Sequence, residues 1–389
     1  MNMGIFSKSG KSSMRLNEVT SSLDRLKIPI SLVFSPINLA QEKEKFFDSD
    51  TYEPQFTYKI VKNRNAEVFK ELSSLKEIVD VDPRISSFYL QLIESKKDSS
   101  DLMHAVGNNE LVTDISLKKY GKPSSLLFRN SARVLRGKVD GYNLVKYPKI
   151  RKGDMLGYDE IVNVFNTVFD ILKLDGWSVA KSQNIVKNGV KVGVKRKQIL
   201  VDPNIERSKF KLRKTLVHEV GTHVLRAVNG SKSGFEALGK ANLPEYLDVE
   251  EGLATWNESD MDLLTLMWLK EKAALVWGIY IGEKLTFRQL YNSMLGVLPK
   301  KSAFSATYRI KRGLGDTSYP GMYYKDIVYF RGFRKVKSRL EKDKSLYEKL
   351  YAGKIDFRQC EWVDEGLIPN ADIVPNKEVW KNIFKQAGI

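Results

Sequence analysis

Two of the three histidines in this 389-residue chain lie five residues apart, in the sequence HEVGTH at residues 218–223. Residues of a straight α-helix turn by about 100° each, so a spacing of five separates two imidazoles by about 140°. A spacing of four, by contrast, places both on one face. His218 and His223 can bind one metal ion only if the helix widens locally, as in a π-bulge, and Gly221 makes such a distortion less costly. The segment therefore predicts either a distorted helix with a metal site or no metal site.

A pair of glutamates about thirty residues downstream can complete such a site. Peptidase-type zinc sites have three protein ligands and one open position. Glu250 and Glu251, in the sequence EEGLA at residues 250–254, point about 100° apart on a helix, so only one of them can readily bind the metal. We assign Glu251 as the third ligand and expect Glu250 to hold an imidazole in its metal-binding tautomer. Gly252 is expected to let this helix approach the histidine helix closely.

Further residues on the two helices are expected to support the site. Glu258 lies seven residues after Glu251, hence on the same face, and Arg226 lies three residues after His223. One Zn²⁺ per chain, held by two imidazoles and a carboxylate, would acidify its bound water. Glu219 would accept the proton as general base and return it to the leaving amine. A structural or accidental HExxxH segment is the alternative, but the glutamate pair and a preceding strand favour the metal site.

The pattern of apolar residues predicts an α+β protein that is mainly helical, with a small sheet just before the metal-binding helix. Helical spacing marks, besides the HEVGTH helix, residues 158–174, a segment starting near Pro244, 261–281 and 287–298. Alternating valines at residues 190–194 and the apolar run Gln198–Val201 predict a small sheet before the metal-binding helix. We expect Gln198–Val201 to be an edge strand with which an extended peptide can pair.

The predicted organisation has three segments. Residues 1–15 are expected to form a flexible basic tail, residues 16–153 a mainly helical subdomain, and residues 154–380 the catalytic subdomain. The alternative is that residues 16–380 form one compact unit.

The composition excludes several classes of protein and leaves the role of the charge open. A single cysteine, Cys360, excludes a disulfide framework, cysteine-ligated zinc ribbons and iron–sulfur clusters. Together with the absence of a secretory signal or membrane-spanning stretch, it predicts a cytoplasmic protein. The formal net charge of +17 suits an acidic peptide partner, and a lysine-rich surface without a specific partner is the alternative. Scattered basic residues and the lack of a recognition motif disfavour nucleic acid as a partner.

With HEVGTH and EEGLA in place, the sequence resembles the microtubule-associated tyrosine carboxypeptidases and their bacterial QEGLA-motif relatives, which are HExxxH gluzincins. The likeness continues at residues 36–42, 54–58, 119–123, 309–313 and 325–329. The resemblance implies that His218, His223 and Glu251 bind zinc and that Glu219 is the catalytic base. It also implies removal of a C-terminal tyrosine or phenylalanine from a protein or peptide. Bacterial members often have glutamine where Glu250 stands, so this residue is not expected to be a ligand.

A carboxypeptidase needs a fixed cation to hold the terminal carboxylate, preferably an arginine. Arg309 and Arg312 lie three residues apart and are the first candidates, with structural salt bridges as the alternative. Lys325 is a weaker candidate. Tyr329 is a candidate for stabilising the tetrahedral oxyanion, and simple packing is the alternative for this residue.

Two other functions compete with a carboxypeptidase. A dipeptidyl peptidase III-like enzyme shares the HExxxH and EExxA arrangement but releases dipeptides from the N-terminus. A non-enzymatic, zinc-stabilised regulator or nucleic-acid-binding protein would cleave no peptide.

Overall fold

The computed structural model describes residues 12–183, 189–240 and 243–389. The chain folds into two compact units. The first contains the described residues up to Gly121, together with Glu283–Arg288 and Lys311–Tyr324. The second comprises Lys122–Gly282, Gln289–Ile310 and Lys325–Ile389. These units do not follow the division expected between residues 153 and 154, which stays a prediction.

The first unit is built from short helices and one pair of parallel strands. Its elements are β1 (Ser12–Arg15), α1 (Leu16–Arg25), α2 (Ile30–Val33), α3 (Leu39–Asp48), α4 (Ala66–Ser73), β2 (Leu75–Val79), α5 (Pro83–His104) and α6 (Asn109–Tyr120). Strand β1 pairs with β2, so the last four residues of the predicted flexible tail have a regular structure. Residues 1–11 of that tail lie outside the described residues.

A buried carboxylate in the first unit fixes the chain that follows α3. Glu42 is only 2% exposed, and it accepts hydrogen bonds from the Tyr52 hydroxyl at 2.6 Å and the Gln55 backbone nitrogen at 2.7 Å. Lys45 Nζ donates to the same carboxylate at 2.9 Å. Burial by itself raises the pKa of Glu42, but the hydrogen bonds with Tyr52, Gln55 and Lys45 outweigh it and hold this pKa below its usual value.

The second unit contains the candidate metal centre. Its first part contains α7 (Ser125–Leu135), β3 (Met155–Leu156), α8 (Tyr158–Ile171), β4 (Ser178–Lys181), β5 (Val190–Gly193), β6 (Gln198–Val201), β7 (Arg207–Ser208), α9 (Lys209–Thr215), a π-helical segment (Leu216–Val224) and α10 (Leu225–Ser231). The remaining helices are α11 (Pro244–Asp260), α12 (Leu266–Ile281), α13 (Phe287–Leu295), α14 (Lys300–Lys311), α15 (Ile327–Lys342), α16 (Leu346–Leu350), α17 (Cys360–Asp364) and α18 (Lys377–Gln386), of which α13 and α14 each include residues assigned to the first unit.

These elements confirm the α+β class and its helical majority. Helix α8 and strands β5 and β6 lie where the apolar pattern predicts them. The helix predicted over 261–281 begins later, at Leu266, because Asp262 has a left-handed backbone (φ 56°) and Thr265 caps the new helix. Within the described part of the chain, no helix combines the length and apolar character needed to cross a bilayer.

The prediction that Gln198–Val201 is an edge strand is wrong. Strand β6 is the middle strand of a three-stranded sheet of order β4-β6-β5. It pairs in parallel with β4 and antiparallel with β5, so both of its backbone edges already have partners. A peptide therefore cannot add to this strand without displacing one of its neighbours.

The core of the second unit holds the histidine segment in place. The π-helical segment buries Leu216, Val217, Val220 and Val224 in one apolar cluster with residues of α8, β6, α11 and α18. Ser208 begins this region by accepting a hydrogen bond from the Lys211 backbone nitrogen, which caps α9. The two histidines therefore project from a segment whose other side is anchored in the core.

Gly252 allows a close helix crossing, but its partner differs from the predicted one. A Cβ at this position would lie 2.9 Å from Cγ2 of Val336, with the Gly332 backbone closer still. Both residues belong to α15, whereas we expected Gly252 to face the histidine helix. The close crossing with α15 leaves no space for a side chain at residue 252.

Candidate metal centre

The histidine segment has the local widening that its spacing requires. Leu216–Val224 is a π-helix that continues from α9 and into α10. Because π-helical hydrogen bonds join residues five apart, His218 and His223 lie on the same side of this segment. Their ring centroids are 5.0 Å apart, with the rings nearly perpendicular at 81°.

Side chains from neighbouring elements hold the middle of the π-helical segment. Gly221 has a backbone outside the left-handed region, but a Cβ there would lie 2.7 Å from Cζ2 of Trp380. The Gly221 carbonyl accepts a hydrogen bond from the Tyr351 hydroxyl at 2.7 Å. Asn257 donates to the Thr222 hydroxyl at 2.8 Å. Gly221 therefore provides space for the Trp380 indole, which the sequence did not indicate.

Three side chains lie close enough together to hold one metal ion. One donor atom from each of His218, His223 and Glu251 lies within 4.8 Å of the other two. The His218 Nε2 atom is 3.6 Å from Glu251 Oε2. Tetrahedral ligands at the usual zinc distances are about 3.4 Å apart, so this separation suits a shared metal ion. All three side chains are half-buried and therefore accessible from solvent.

Two buried carboxylates orient the imidazoles. Glu258 Oε1 lies 2.8 Å from Nδ1 of His218, and Glu250 Oε1 lies 2.8 Å from Nδ1 of His223. A carboxylate at Nδ1 fixes the proton on that nitrogen and leaves Nε2 for a metal. The other oxygen of Glu258 forms an ion pair with Lys214 Nζ at 2.9 Å.

Glu250 is buried and is neutralised by two cations. Arg226 Nη1 and Lys354 Nζ both donate to its carboxylate, and the guanidinium of Arg226 is fully buried. Arg226 Nε also donates to the carbonyls of Leu350 and Gly353, at 2.8 and 3.0 Å. Burial by itself raises the pKa of Glu250, but Lys354 and Arg226 outweigh it and hold this pKa well below its usual value. Glu250 therefore stays ionised next to His223.

The side chains of the candidate metal ligands attract one another electrostatically. Burial lowers the pKa of His218, but hydrogen bonds with Glu251 and Glu258 outweigh this effect and raise the pKa well above its usual value. Burial raises the pKa of Glu251, but the hydrogen bond with His218 and the charge of His223 lower it overall. A divalent cation would take over the role of this imidazolium–carboxylate attraction.

Glu219, the candidate base, follows His218 directly and is half-buried. Within the described residues, its carboxylate makes no hydrogen bond or ion pair, and its charge interacts electrostatically with Arg207 and His218. The carboxylate is therefore available for proton transfer.

The predicted carboxylate-binding residues divide between two places. Arg309 Nε donates to the buried Asp326 at 2.6 Å, and its guanidinium carbon lies 5.2 Å from the ring centroid of Tyr329. Arg312 follows the end of α14, belongs to the first unit, and its guanidinium carbon lies 5.1 Å from the ring centroid of Tyr323. Their role as a carboxylate-binding pair stays a prediction.

Lys325 and Tyr329 lie in the same part of the second unit as Arg309. The charge of Lys325 interacts with Glu251 and helps to lower the pKa of that ligand, after burial and the two histidines. Lys272 of α12, which sequence reasoning missed, places its Nζ 4.5 Å from the centroid of Tyr329. Burial lowers the pKa of Lys272 to about 8, and the charge of Arg309 adds to this effect. The available sequence signal was the group of charges at residues 270–272 inside an otherwise apolar helix.

Comparisons with known proteins agree with the motifs. The family described as microtubule-associated tyrosine carboxypeptidase matches residues 44–377. Proteins named microtubule-associated tyrosine carboxypeptidase 1 are 26% identical in mouse and in rat and 25% identical in human, over 80%, 86% and 80% of this chain. The chain covers 57%, 62% and 56% of those proteins, which is less than two thirds of their length. Because the family match extends over most of the chain, this protein belongs to the microtubule-associated tyrosine carboxypeptidase family.

Proposed function

We propose that the protein is a zinc-dependent metallocarboxypeptidase of the gluzincin type that removes a C-terminal tyrosine or phenylalanine from a protein or peptide. The observation that carries this proposal is the convergence of His218, His223 and Glu251 on one point, with the carboxylate of Glu219 next to the first of them. Two imidazoles and one carboxylate are the ligand set of catalytic zinc sites that keep one position open. The names of the relatives support tyrosine as the residue removed.

The residues around the ligands have separate tasks in this proposal. Bound zinc would supply a Lewis acid that polarises the scissile carbonyl and lowers the pKa of a water molecule. Glu219 would accept the proton of that water and deliver it to the leaving amine. Glu258 and Glu250 keep the Nδ1 atoms of His218 and His223 protonated, so each imidazole offers Nε2. Arg226 compensates the buried charge of Glu250.

The substrate is proposed as a C-terminal tail, and the net charge of +17 suits an acidic one. We also propose that the protein acts in the cytoplasm, as the sequence predicts. A dipeptidyl peptidase III-like enzyme would use the same metal ligands on the other end of a peptide. The relatives' names favour the carboxypeptidase over that alternative.

The test is the Glu219→Gln variant, measured with zinc-loaded protein and a peptide that ends in tyrosine. We expect wild-type protein to release the terminal tyrosine, as detected by mass spectrometry. The variant should retain about one zinc per chain, because residue 219 is not a ligand, and should lose at least about 100-fold in rate. Loss of residues from the N-terminus would instead support the dipeptidyl peptidase. Undiminished cleavage by the variant would disprove the role of Glu219.

A further inference from the structure

A lysine in contact with two aromatic rings lies close enough to the candidate metal centre for its charge to interact with Glu251. Lys272, on α12, is half-buried, with its Nζ 4.5 Å from the ring centroid of Tyr329 and 5.6 Å from that of Trp268. Within the described residues, the ammonium makes neither a hydrogen bond nor an ion pair. Its charge interacts electrostatically, at longer range, with Asp326 and Glu251. An ammonium group has three donors, and leaving them without acceptors in a partly desolvated place is costly.

The positive charge of Lys272 has no carboxylate partner among the described residues, and its charged neighbour Arg309 is also a cation. Arg309 also contacts Tyr329, with its guanidinium carbon 5.2 Å from the ring centroid. Arg309 has Asp326 as its own counter-ion at 2.6 Å, whereas Lys272 has no carboxylate within ion-pair distance among the described residues. The group of Lys272, Arg309 and Tyr329 therefore combines an excess positive charge with several hydrogen-bond donors, and this combination suits a carboxylate.

Lys272 is also connected to the metal ligands through contacts within the second unit. Lys272 Nζ lies 5.6 Å and Lys214 Nζ lies 5.1 Å from the centroid of the Trp268 ring. Lys214 forms the ion pair with Glu258, which in turn holds His218. An enzyme that removes a single residue must bind the terminal carboxylate within about one residue length, roughly 3.5 Å along the chain, of the scissile carbonyl. The charge of Lys272 interacts with that of the proposed ligand Glu251, so this cation is near enough to the candidate metal centre to be considered for this role.

We propose that Lys272, assisted by Arg309 and Tyr329, binds the α-carboxylate at the C-terminus of the peptide substrate. This assignment rests on the proposed carboxypeptidase activity and explains its direction, because an amidated terminus or an N-terminal amine provides no negative charge for Lys272. Asp326 keeps Arg309 in place, so the new ion pair is formed mainly by the lysine.

The experiment compares Lys272→Met with Lys270→Met, using two peptides of the same sequence that end in tyrosine with either a carboxylate or an amide. Lys270 lies two residues earlier on α12, about 200° around the axis, and provides the matched control. We expect Lys272→Met to lower kcat/KM for the carboxylate peptide by about 10- to 100-fold, as expected for lost hydrogen bonds to a charged group, mainly through KM. Lys270→Met should behave as wild type, and both variants should keep their zinc. Lys272→Arg should restore much of the activity.

Binding to the Glu219→Gln protein separates this inference from the proposed activity. In that background the carboxylate peptide should bind more tightly than the amide, and adding Lys272→Met, or Lys272→Gln as a second variant, should remove the preference. If wild type cleaves peptides but the preference survives loss of Lys272, the carboxylate site is wrong and the carboxypeptidase activity stands. If wild type cleaves no peptide but the preference depends on Lys272, the activity is wrong and the site stands. If the Glu219→Gln protein with Lys272 intact binds both peptides equally, the proposed carboxylate site is overturned.

Discussion

Replacing Gly221 by alanine tests why glycine is present inside the histidine segment. An added Cβ would lie 2.7 Å from Cζ2 of Trp380, whereas carbon atoms in contact are normally about 3.5–4.0 Å apart. The indole is 2% exposed, so either the ring or the π-helical segment must move by about 1 Å. Overpacking of this kind costs about 1–3 kcal/mol, and the better helix propensity of alanine offsets about 1 kcal/mol. We therefore expect Gly221→Ala to lower the free energy of unfolding by up to about 2 kcal/mol.

A double-mutant cycle in urea separates the steric explanation from a backbone explanation. Trp380→Leu alone should cost less than the about 3–5 kcal/mol of a Trp→Ala truncation, because leucine fills part of the cavity that opens next to the segment. In that background Gly221→Ala should be neutral or stabilising by up to about 1 kcal/mol, which gives a coupling energy of about 2 kcal/mol. Gly153→Ala, at an exposed position where a Cβ meets no atom within 4 Å, is the control and should change little. If Gly221→Ala costs as much with leucine at 380 as with tryptophan, the π-helical backbone itself requires glycine and our reasoning is refuted.

Two further predictions concern buried charges. Arg226→Met should destabilise the protein by about 3–5 kcal/mol and weaken zinc binding, because it removes one of the two cations on buried Glu250; unchanged thermal unfolding would contradict this ion-pair role. The pKa of Glu42 is lowered in the folded state, so its contribution to stability is complete above the unfolded value of about 4.5 and is lost as pH falls through the folded pKa. Between about pH 5 and pH 3, the free energy of unfolding of Glu42→Gln should therefore fall less steeply than that of wild type. The exposed control Glu44→Gln should fall as steeply as wild type. If Glu42→Gln and wild type lose unfolding free energy equally over this pH range, Glu42 is excluded as a source of acid sensitivity.

The features that could be predicted from the sequence are those determined by residues close together in the chain. The five-residue histidine spacing requires a widened helix, and the π-helical segment Leu216–Val224 has that geometry. The apolar stripe at residues 158–174 likewise needs no distant information to indicate α8. In both cases the evidence lies within a few helical turns, where the spacing of side chains determines which of them share a face.

Strand order could not be predicted in the same way. Alternation identifies Gln198–Val201 as a strand, but its neighbours are determined by β4, twenty residues earlier, which pairs with it in parallel, and by β5, which pairs antiparallel. A strand with two partners and a strand with one have similar patterns of apolar residues when they are short. The same limit explains Gly252, since a glycine indicates a close approach but does not identify the approaching helix.

The cations that balance the charge of the candidate metal centre are farther apart in the sequence than its candidate ligands. The carboxylates that orient the histidines, Glu250 and Glu258, lie on the same helix as the third ligand, so a motif-based reading finds them. Their counter-ions come from separate segments. Arg226 lies in α10 after the histidines, Lys214 in α9 before them, and Lys354 in a loop about a hundred residues away. A buried carboxylate without these cations would raise its pKa and become protonated, and a protonated carboxyl holds an imidazole less firmly. The proposed ligand set therefore depends on a fold that brings these three cations to Glu250 and Glu258, and their positions become visible only in three dimensions.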